Sequence, residues 1–308
     1  MLKLKNMEKI IKIEDKKYPK LLKEIGSEAP KKLYYKGEWP ASPDERASRG
    51  GGEDIFENCL AVVGSRHLTS YGKKITEQLV TEIAAAGITI VSGFMYGGDE
   101  AAHSATVMVG GRTIAVMPCG IDLVHPEYQE KLYNEILKNN GLIISEYAGK
   151  FPPALWTYPR RNRIVAGLSK AILVVEAGLN SGSLITAKYA KKYGRKIFSV
   201  PGQITSEVSK GTIKLIKEGA QVATEPGDIL KYYNFSLADL RNTGSYAKPS
   251  LVFNKEEQKI IEQLKREPME VDLLSRNLGI SAAKVGTTLS LMQLKGFINQ
   301  ESGKYYVN

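Results

Sequence analysis

The amino-acid sequence predicts an α/β protein, in which a Rossmann-like, doubly wound and mostly parallel sheet is followed by a small C-terminal winged-helix domain. Six short apolar runs between residues 59 and 202 predict the strands, because continuous apolar runs are typical of parallel strands buried on both faces. Stretches of helical periodicity separate these runs, and that alternation is typical of doubly wound sheets. Near the C-terminus, three helical patterns and two short strand patterns predict the winged helix.

The chain divides into four predicted segments. Residues 1–58 form an N-terminal extension with a short helix, a strand and a polar, glycine-rich loop at 41–54. Residues 59–232 form the Rossmann-like domain, which carries the six apolar runs. Residues 233–252 lack periodicity and are interpreted as a linker, and residues 253–308 form the winged-helix domain.

Composition excludes several classes of protein. No stretch of 18 apolar residues is present, so the sequence predicts no membrane-spanning helix, and the N-terminus lacks the apolar segment of a secretory signal. The two cysteines, Cys59 and Cys119, lie in or beside apolar runs. We therefore interpret them as reduced core residues of a cytoplasmic protein rather than as a disulfide or a zinc site.

The net charge of +10 is concentrated in one part of the chain. Residues 151–230 contain 12 Lys or Arg and 5 Asp or Glu, and so contribute +7. A concentrated basic region is typical of proteins that bind polyanions, of which nucleic acid is the commonest. A lysine-rich surface without a ligand would give the same composition, and charge alone does not separate the two interpretations.

The turn Gly64-Ser65-Arg66 is the first candidate site. It follows a predicted strand and precedes a predicted helix, and ligands of open α/β sheets bind beyond the carboxyl ends of the strands. A small residue, a hydroxyl group and a cation beside a helix N-terminus predict a phosphate site. The alternative is a tight turn with a solvated arginine.

The turn Ser92-Gly93 is followed by a glycine-rich stretch and then by Asp99 and His103. An Asp and a His one helical turn apart suggest catalysis. We favour the interpretation that Asp99 caps a helix and that His103 is partly buried. A later turn contains Cys119, which as a nucleophile would need a base, and nothing in the sequence supplies one.

A cluster of cations begins one predicted helix, at Arg160, Arg161, Asn162 and Arg163. Cations at a helix N-terminus oppose the helix dipole, so this cluster predicts an anion between them. Tyr158 and Trp156 precede it and have rings on which bases can stack. The alternative is a solvated charged face.

Two further turns carry residues suited to phosphate. Ser181, Gly182 and Ser183 open a helix, and Lys210 and Lys214 follow the last turn of the series. Ordinary turn and cap roles are the alternative for both. Several motifs are missing, namely a P-loop, a dinucleotide-binding glycine pattern, zinc-ligand spacing and a carboxylate cluster for two metals. We therefore predict a binding protein with no catalytic residue, no cofactor and no metal.

Seven stretches, in this order, resemble the DNA-processing protein A family (DprA, also called Smf). They are AVVGSR (61–66), SGFMYGGDEAAH (92–103), GGRTIAVMPCGID (110–122), ISEYAGKFPP (144–153), YPRRNRIVAGLS (158–169), VVEAGLNSGSLITA (174–187) and VPGQITSEVSKGTIKLIKEGA (200–220). The resemblance covers roughly residues 10–230, and the C-terminal winged helix adds to it.

The resemblance implies a protein that binds single-stranded DNA without sequence preference, protects incoming strands in natural transformation and assists loading of the recombinase RecA. It further implies a homodimer through the Rossmann domain. The strands AILVVEA and KIFSVPG are the candidate edge of the sheet at which the two subunits meet. By resemblance, the DNA-binding residues are Gly64, Ser65, Arg66, Ser92, Gly93, Arg161, Asn162, Arg163, Ser181, Gly182, Ser183 and Thr186. To these we add Tyr96, Arg160 and Lys210 as predicted DNA-binding residues.

The chain departs from the family pattern at several positions. Tyr96 stands where the family has a cation, Gly98 where it has Ile, His125 where Tyr is usual and Ile213 where Asn is common. Loss of the cation predicts weaker phosphate binding, unless Tyr96 stacks on a base. The winged helix carries few cations on its third helix, so both a protein contact and DNA binding stay open for it.

Two functions from other classes compete with this one. The first is a nucleotide-binding sensor or a nucleotide-processing enzyme of the LOG type, although the chain lacks that group's P-G-G-x-G-T-x-x-E motif. The second is a transcription regulator, in which the winged helix reads duplex DNA and the Rossmann domain senses a ligand. Site-specific affinity for duplex DNA would distinguish the second.

Overall fold

The computed structural model describes residues 9–41, 54–235, 255–294, 297–301 and 303–307. The chain forms two compact units, Met1–Tyr246 and Ala247–Asn308. Most of the predicted polar loop at 41–54 and of the predicted linker at 233–252 lies outside the described residues. Within the described residues, no helix has the length and apolar character needed to cross a membrane.

The described strands of the first unit form one nine-stranded sheet in the order β1-β2-β6-β5-β4-β3-β7-β8-β9. The strands are β1 (Lys9–Lys12), β2 (Lys32–Gly37), β3 (Cys59–Val63), β4 (Thr89–Ser92), β5 (Thr113–Gly120), β6 (Leu142–Tyr147), β7 (Ala171–Val174), β8 (Lys196–Ser199) and β9 (Gln221–Val222). Every pairing in the series β6-β5-β4-β3-β7-β8-β9 is parallel. The pairings of β1 with β2 and of β2 with β6 are antiparallel. The predicted α/β fold with a mostly parallel sheet is confirmed.

Two strands occupy positions that the sequence did not indicate. The N-terminal strands β1 and β2 extend the sheet, because Tyr34 pairs with Ser145 of β6 and the side chain of Leu33 is fully buried. The prediction that the strands AILVVEA and KIFSVPG form an edge of the sheet is wrong, since they are β7 and β8, which lie inside the sheet, and the two-residue β9 follows them. Apolar content does not distinguish an interior strand from an edge strand that a partner covers.

Helices cover both faces of the sheet. They are α1 (Lys20–Lys23), α2 (Ser70–Ala85), α3 (Gly98–Met108), α4 (Glu130–Lys138), α5 (Thr157–Leu168), α6 (Gly182–Lys192), α7 (Lys210–Lys217) and α8 (Pro226–Leu230). Successive residues of β3 alternate between two cores, so that Leu60 and Val62 pack on one face while Ala61 and Val63 pack on the other. Burial on both faces explains the continuous apolar run of this strand.

The strand order reverses at β3, which lies between β4 and β7. The chain continues from β3 to β4 on one side and later returns to β7 on the other. At such a point the connections that leave the carboxyl ends of the two central strands diverge and open a crevice. The fold therefore predicts a ligand site above β3 and β7.

The described residues of the second unit form three helices and two paired antiparallel strands. The elements are α9 (Lys255–Leu264), α10 (Val271–Leu278), α11 (Ala282–Leu294), β10 (Ile298–Glu301) and β11 (Lys304–Val307). Leu274, Val285, Leu289, Met292 and Ile298 are fully buried in its core. This arrangement agrees with the predicted winged helix.

Candidate nucleic-acid interface

A cavity of about 890 Å³ lies at the carboxyl ends of the central strands, and we call it the carboxyl-edge cavity. Most of the predicted site residues line it, from four separate segments of the chain. These residues are Gly64, Ser65, Arg66, Gly93, Tyr96, Arg161, Asn162, Ser181, Gly182, Ser183 and Thr186. Its volume falls within the range of small-molecule and cofactor sites.

The turn at Ser65 is fixed by hydrogen bonds that cross between β3 and β7. The Ser65 amide donates to the Glu176 carbonyl over 2.7 Å, and the Ser65 hydroxyl accepts from the His67 amide over 3.0 Å. The Glu176 carboxylate accepts from both the amide and the hydroxyl of Thr69, the residue that caps α2. The backbone that carries Arg66 is thus held rigidly at the cavity rim.

The side chain of Arg66 is exposed and lies between two tyrosine rings. Its guanidinium carbon is 5.7 Å from the ring centroid of Tyr96 and 5.0 Å from that of Tyr158. The Tyr158 hydroxyl forms a 2.9 Å hydrogen bond with Nε2 of His125. Burial, and to a smaller extent Arg66, lowers the pKa of His125. The two rings hold the guanidinium in place while its donors stay accessible.

The cations at the start of α5 are compensated by the protein's own carboxylates. Arg163 pairs with Glu146 over 2.6 Å, and the exposed Arg160 pairs with the same carboxylate over 3.3 Å. Neither arginine lines the carboxyl-edge cavity. The expectation of a ligand anion between them is not needed to explain the cluster, because Glu146 supplies that anion.

Arg161 does reach the cavity, from a buried position. Its side chain is only 4% exposed, donates to the Val116 carbonyl and lies 3.9 Å from the Asp99 carboxylate. Burial lowers the pKa of Arg161 and raises that of Asp99, and the attraction between the two charges counters both shifts. Arg161 therefore contributes mainly to the wall of the cavity.

The N-terminus of α6 lines the opposite wall. Ser181 caps this helix, since its hydroxyl accepts from the Ser183 amide, and the two hydroxyls are 2.6 Å apart. The Asn162 side chain donates to the Gly182 carbonyl over 3.2 Å, which connects α5 to this turn. A capped helix N-terminus beside a cavity is suited to an anion.

Two other predicted residues lie outside the lining of the cavity. The buried Ser92 hydroxyl donates to the Val62 carbonyl. Lys210 pairs with Glu207 over 2.5 Å, and of these two only Glu207 lines the cavity. DNA contacts of Ser92, Lys210, Arg160 and Arg163 stay predictions, as do those of the residues that line the cavity.

The two candidate catalytic groups are buried. His103 is fully buried, with Nε2 on the Gly93 carbonyl and Nδ1 2.7 Å from the Thr113 hydroxyl, and burial lowers its pKa to about 4. This agrees with the packing interpretation, although the cap of α3 is Gly97 rather than Asp99. Burial raises the pKa of Cys119 to about 11, so its thiol is protonated at neutral pH.

Sequence reasoning left out of the site several residues that line the cavity. Tyr158 holds Arg66, Asp99 faces Arg161, and Leu155 and Leu179 form an apolar rim that is 92% and 55% exposed. The sequence did indicate Tyr158, two residues before Arg160, as a ring on which bases can stack, and Asp99 as a helix cap, but it gave no signal for Leu155 and Leu179. Within the described residues, no group of three His, Cys, Asp or Glu side chains is arranged to hold a metal.

A second concave surface lies at the opposite end of the sheet, and we call it the amino-edge groove. It has a volume of about 420 Å³ between the C-terminus of α6 and the start of β8. Lys188, Lys191, Arg195 and Lys196 line it, together with Tyr232. Much of the basic segment 151–230 therefore lies away from the carboxyl-edge cavity.

Comparisons with known proteins agree with this architecture. Residues 9–234 match the family model described as DNA recombination-mediator protein A, and residues 247–304 match the DprA winged helix domain. The chain is 37% identical to Protein Smf of Escherichia coli over 249 residues, which are 80% of this chain and 67% of that protein. It is 37% identical to DNA processing protein DprA of Streptococcus pneumoniae over 223 residues, or 72% of this chain and 73% of that one.

Two solved structures are similar as well. The X-ray structure of DprA from Streptococcus pneumoniae has a TM-score of 0.66 and 36% identity, covering 75% of this chain and 76% of that one. A structure that describes the single-stranded DNA binding mode of DNA processing protein A from Helicobacter pylori has a TM-score of 0.61 and 30% identity, covering 74% and 98%. The chain therefore belongs to the DNA recombination-mediator protein A family, whose members are also named DprA and Smf.

Proposed function

We propose that this protein binds single-stranded DNA in the carboxyl-edge cavity, without sequence preference, and acts in DNA processing during transformation and recombination. The observation that carries the proposal is the exposed guanidinium of Arg66, fixed between Tyr96 and Tyr158 at the rim of the cavity. The single-stranded DNA binding described for the Helicobacter pylori relative supports it.

The chemistry of the cavity suits a flexible polyanion. Phosphates meet the Arg66 guanidinium and the N-terminus of α6, while the rings of Tyr96 and Tyr158 and the side chains of Leu155 and Leu179 receive bases. Stacking and phosphate contacts tolerate any base, so they give affinity without sequence preference. A duplex presents its bases already stacked, and binding in the cavity therefore favours single strands.

The finer roles are part of the same proposal. A strand held in the cavity is shielded from nucleases and is available for transfer to the recombinase RecA. A homodimer through the Rossmann-like domain would place two cavities on one strand and raise the avidity. Binding, rather than catalysis, is the proposed activity, because the described nucleophile and base candidates, Cys119 and His103, are both buried.

The test is fluorescence anisotropy with labelled single-stranded and duplex oligonucleotides of mixed sequence, across a salt series. We expect Arg66→Ala to weaken single-strand binding by about 10- to 100-fold, since a hydrogen bond to a charged group contributes about 1.5–3 kcal/mol. The salt slope should also become shallower by about 0.7 for each phosphate that the variant no longer binds.

The matched control is the double variant Lys188→Ala/Lys191→Ala, which removes two exposed cations from the amino-edge groove. We expect it to change single-strand affinity by less than about twofold, as surface charges far from the ligand are screened. A wild type without single-strand preference, or equal losses in the two variants, would overturn the proposal. Competition by a mononucleotide at equal affinity would favour a nucleotide sensor instead.

A further inference from the structure

Aromatic side chains form an exposed patch beside the N-terminus of α5, and none of them lines the carboxyl-edge cavity. The rings of Tyr147 and Phe151 are stacked with centroids 4.7 Å apart, and Trp156 meets both of them edge to face. Phe151 is 37% exposed and Trp156 is 52% exposed. We call these three residues the Trp156 patch.

A cation lies over this patch. The Arg160 guanidinium carbon is 5.9 Å from the Trp156 ring centroid, and the side chain is half exposed while it pairs with Glu146. The exposed Lys150 precedes Phe151 in the chain. Aromatic faces interleaved with cations are typical of surfaces that bind single-stranded nucleic acid, where bases stack and phosphates pair.

The patch adjoins the cavity through the residues that lead into α5. Leu155 lines the cavity rim and is 92% exposed, Trp156 follows it in sequence, and Tyr158 and Pro159 line the cavity again. Trp156 is thus flanked in sequence by cavity residues on both sides, while its own side chain belongs to the Trp156 patch. A strand that leaves the cavity past Leu155 meets the Trp156 ring next.

We propose that the Trp156 patch is a second base-stacking subsite, which extends the single-strand track beyond the carboxyl-edge cavity. This inference rests on the proposed function, because it assigns the patch to the strand that the cavity holds. Arg160 acts here by contacting a phosphate outside the cavity while it stays paired with Glu146. The patch thus gives a role to a cation that the cavity itself does not use.

Tryptophan fluorescence gives a direct test. The chain has two tryptophans, and Trp39 packs between Tyr35 and Phe56 in the N-terminal part of the sheet unit. In the variant Trp39→Phe, emission reports on Trp156 alone. We expect a single-stranded oligonucleotide of about 20 nucleotides to quench this emission, since stacking of a base on an indole ring changes its excited state.

Affinity measured by anisotropy gives the second readout. Trp156→Ala should weaken binding of the long single strand by about 5- to 100-fold, the range for removing one base-stacking interaction, and Trp156→Phe should restore most of it. An oligonucleotide short enough to fill only the cavity should bind Trp156→Ala and wild type equally. The control is Tyr232→Ala, which removes an aromatic ring of similar exposure, 45%, from the amino-edge groove.

The outcomes separate this inference from the proposed function. If wild type binds single strands and Arg66→Ala does not, while Trp156 emission and Trp156→Ala affinity stay unchanged, the track ends at the cavity and the inference is wrong. The exposed patch would then be open to a protein partner. If wild type binds no single strand, the proposed function fails, and the inference fails with it.

Discussion

The carboxyl-edge cavity and the amino-edge groove differ in how they present positive charge. The groove carries four cations on α6 and at the start of β8, of which Lys188 and Lys191 are exposed. The cavity exposes one fixed guanidinium, that of Arg66, and otherwise offers backbone turns, serine hydroxyls and a helix N-terminus. The more basic surface is thus not the one with the geometry of a ligand site.

Net charge therefore indicates a region of the sequence, but it does not locate a binding site. Charges on exposed lysines attract a polyanion from a distance, and they are screened within about 8 Å at physiological salt. Turns fixed by backbone hydrogen bonds hold their donors in place before a ligand arrives, so less entropy is lost on binding. Substitutions at matched positions allow the stability and the single-strand affinity of the two surfaces to be compared.

Glycine substitutions compare the rigidity of the two surfaces. Gly97, next to the cavity-lining Tyr96, has φ 82° and ψ −123°, and an added Cβ would strike the backbone of Ser65 and Arg66. Gly194, at the groove, has φ 68° with open space around it. We expect Gly97→Ala to cost about 4 kcal/mol of unfolding free energy, from backbone strain plus overpacking, and Gly194→Ala about 1 kcal/mol.

Urea unfolding followed by tryptophan fluorescence measures both values, because Trp39 and Trp156 both lie in the sheet unit. Single-strand affinity should fall in Gly97→Ala, since the turn that carries Arg66 must shift, and should be unchanged in Gly194→Ala. Equal costs in the two variants would mean that the cavity wall is no more rigid than the groove.

Acid should destabilise the fold at His103, whose ring contacts the carbonyl of the cavity-lining Gly93. The folded state lowers the pKa of His103 from 6.5 to about 4 through burial, so it binds fewer protons than the unfolded state between these two values. Stability from this group is therefore complete above pH 6.5 and is lost as pH falls, by about 3 kcal/mol at pH 4. The groove has no histidine among its described lining residues.

Urea midpoints from pH 4 to pH 7 test this, with His103→Gln as the control that lacks the titration. As the pH falls from 7 to 4, the urea midpoint of the wild type should decrease more than that of His103→Gln. The opposite sign would mean that His103 is charged in the fold, with both ring nitrogens donating, one to the Gly93 carbonyl and the other to the Thr113 hydroxyl.

Sequence reasoning identified the strands and many of the cavity residues for a physical reason. Strands buried on both faces leave continuous apolar runs, and functional turns of a parallel sheet follow those runs directly. Gly64, Ser65 and Arg66 were therefore found from the pattern alone. The antiparallel pairing of β1 and β2 was not, because a strand that pairs with β6, more than 100 residues later, leaves no local sign of its partner.

The arginine cluster was predicted only in part from the sequence. Arg160, Arg161 and Arg163 are neighbours in sequence, yet a helix directs their side chains to different surroundings. Arg163 and Arg160 reach Glu146 on β6, and Arg161 reaches Asp99 on α3. Those carboxylates come from distant parts of the chain, so the sequence indicated the cations but not the anions that neutralise them.

Restoring a cation at position 96 should produce the smallest effect and the most local one. Tyr96 is 38% exposed beside Arg66, where the family pattern has a cation. In Tyr96→Lys, the ammonium group adds a phosphate contact while Tyr158 still holds the Arg66 guanidinium. An exposed ion pair contributes about 0.5–1 kcal/mol, but the substitution also removes the Tyr96 ring that we assign to a base, so single-strand affinity at low salt should change by less than about fivefold.

The salt series makes this change distinguishable from a nonspecific gain in charge. One added phosphate contact should steepen the slope of log affinity against log salt by about 0.7. Tyr232→Lys adds the same charge at the amino-edge groove and should leave the slope unchanged, because that surface has no fixed contact with the strand. If the two variants steepen the slope equally, long-range attraction rather than the geometry of the cavity sets the affinity, and the distinction between the two surfaces fails.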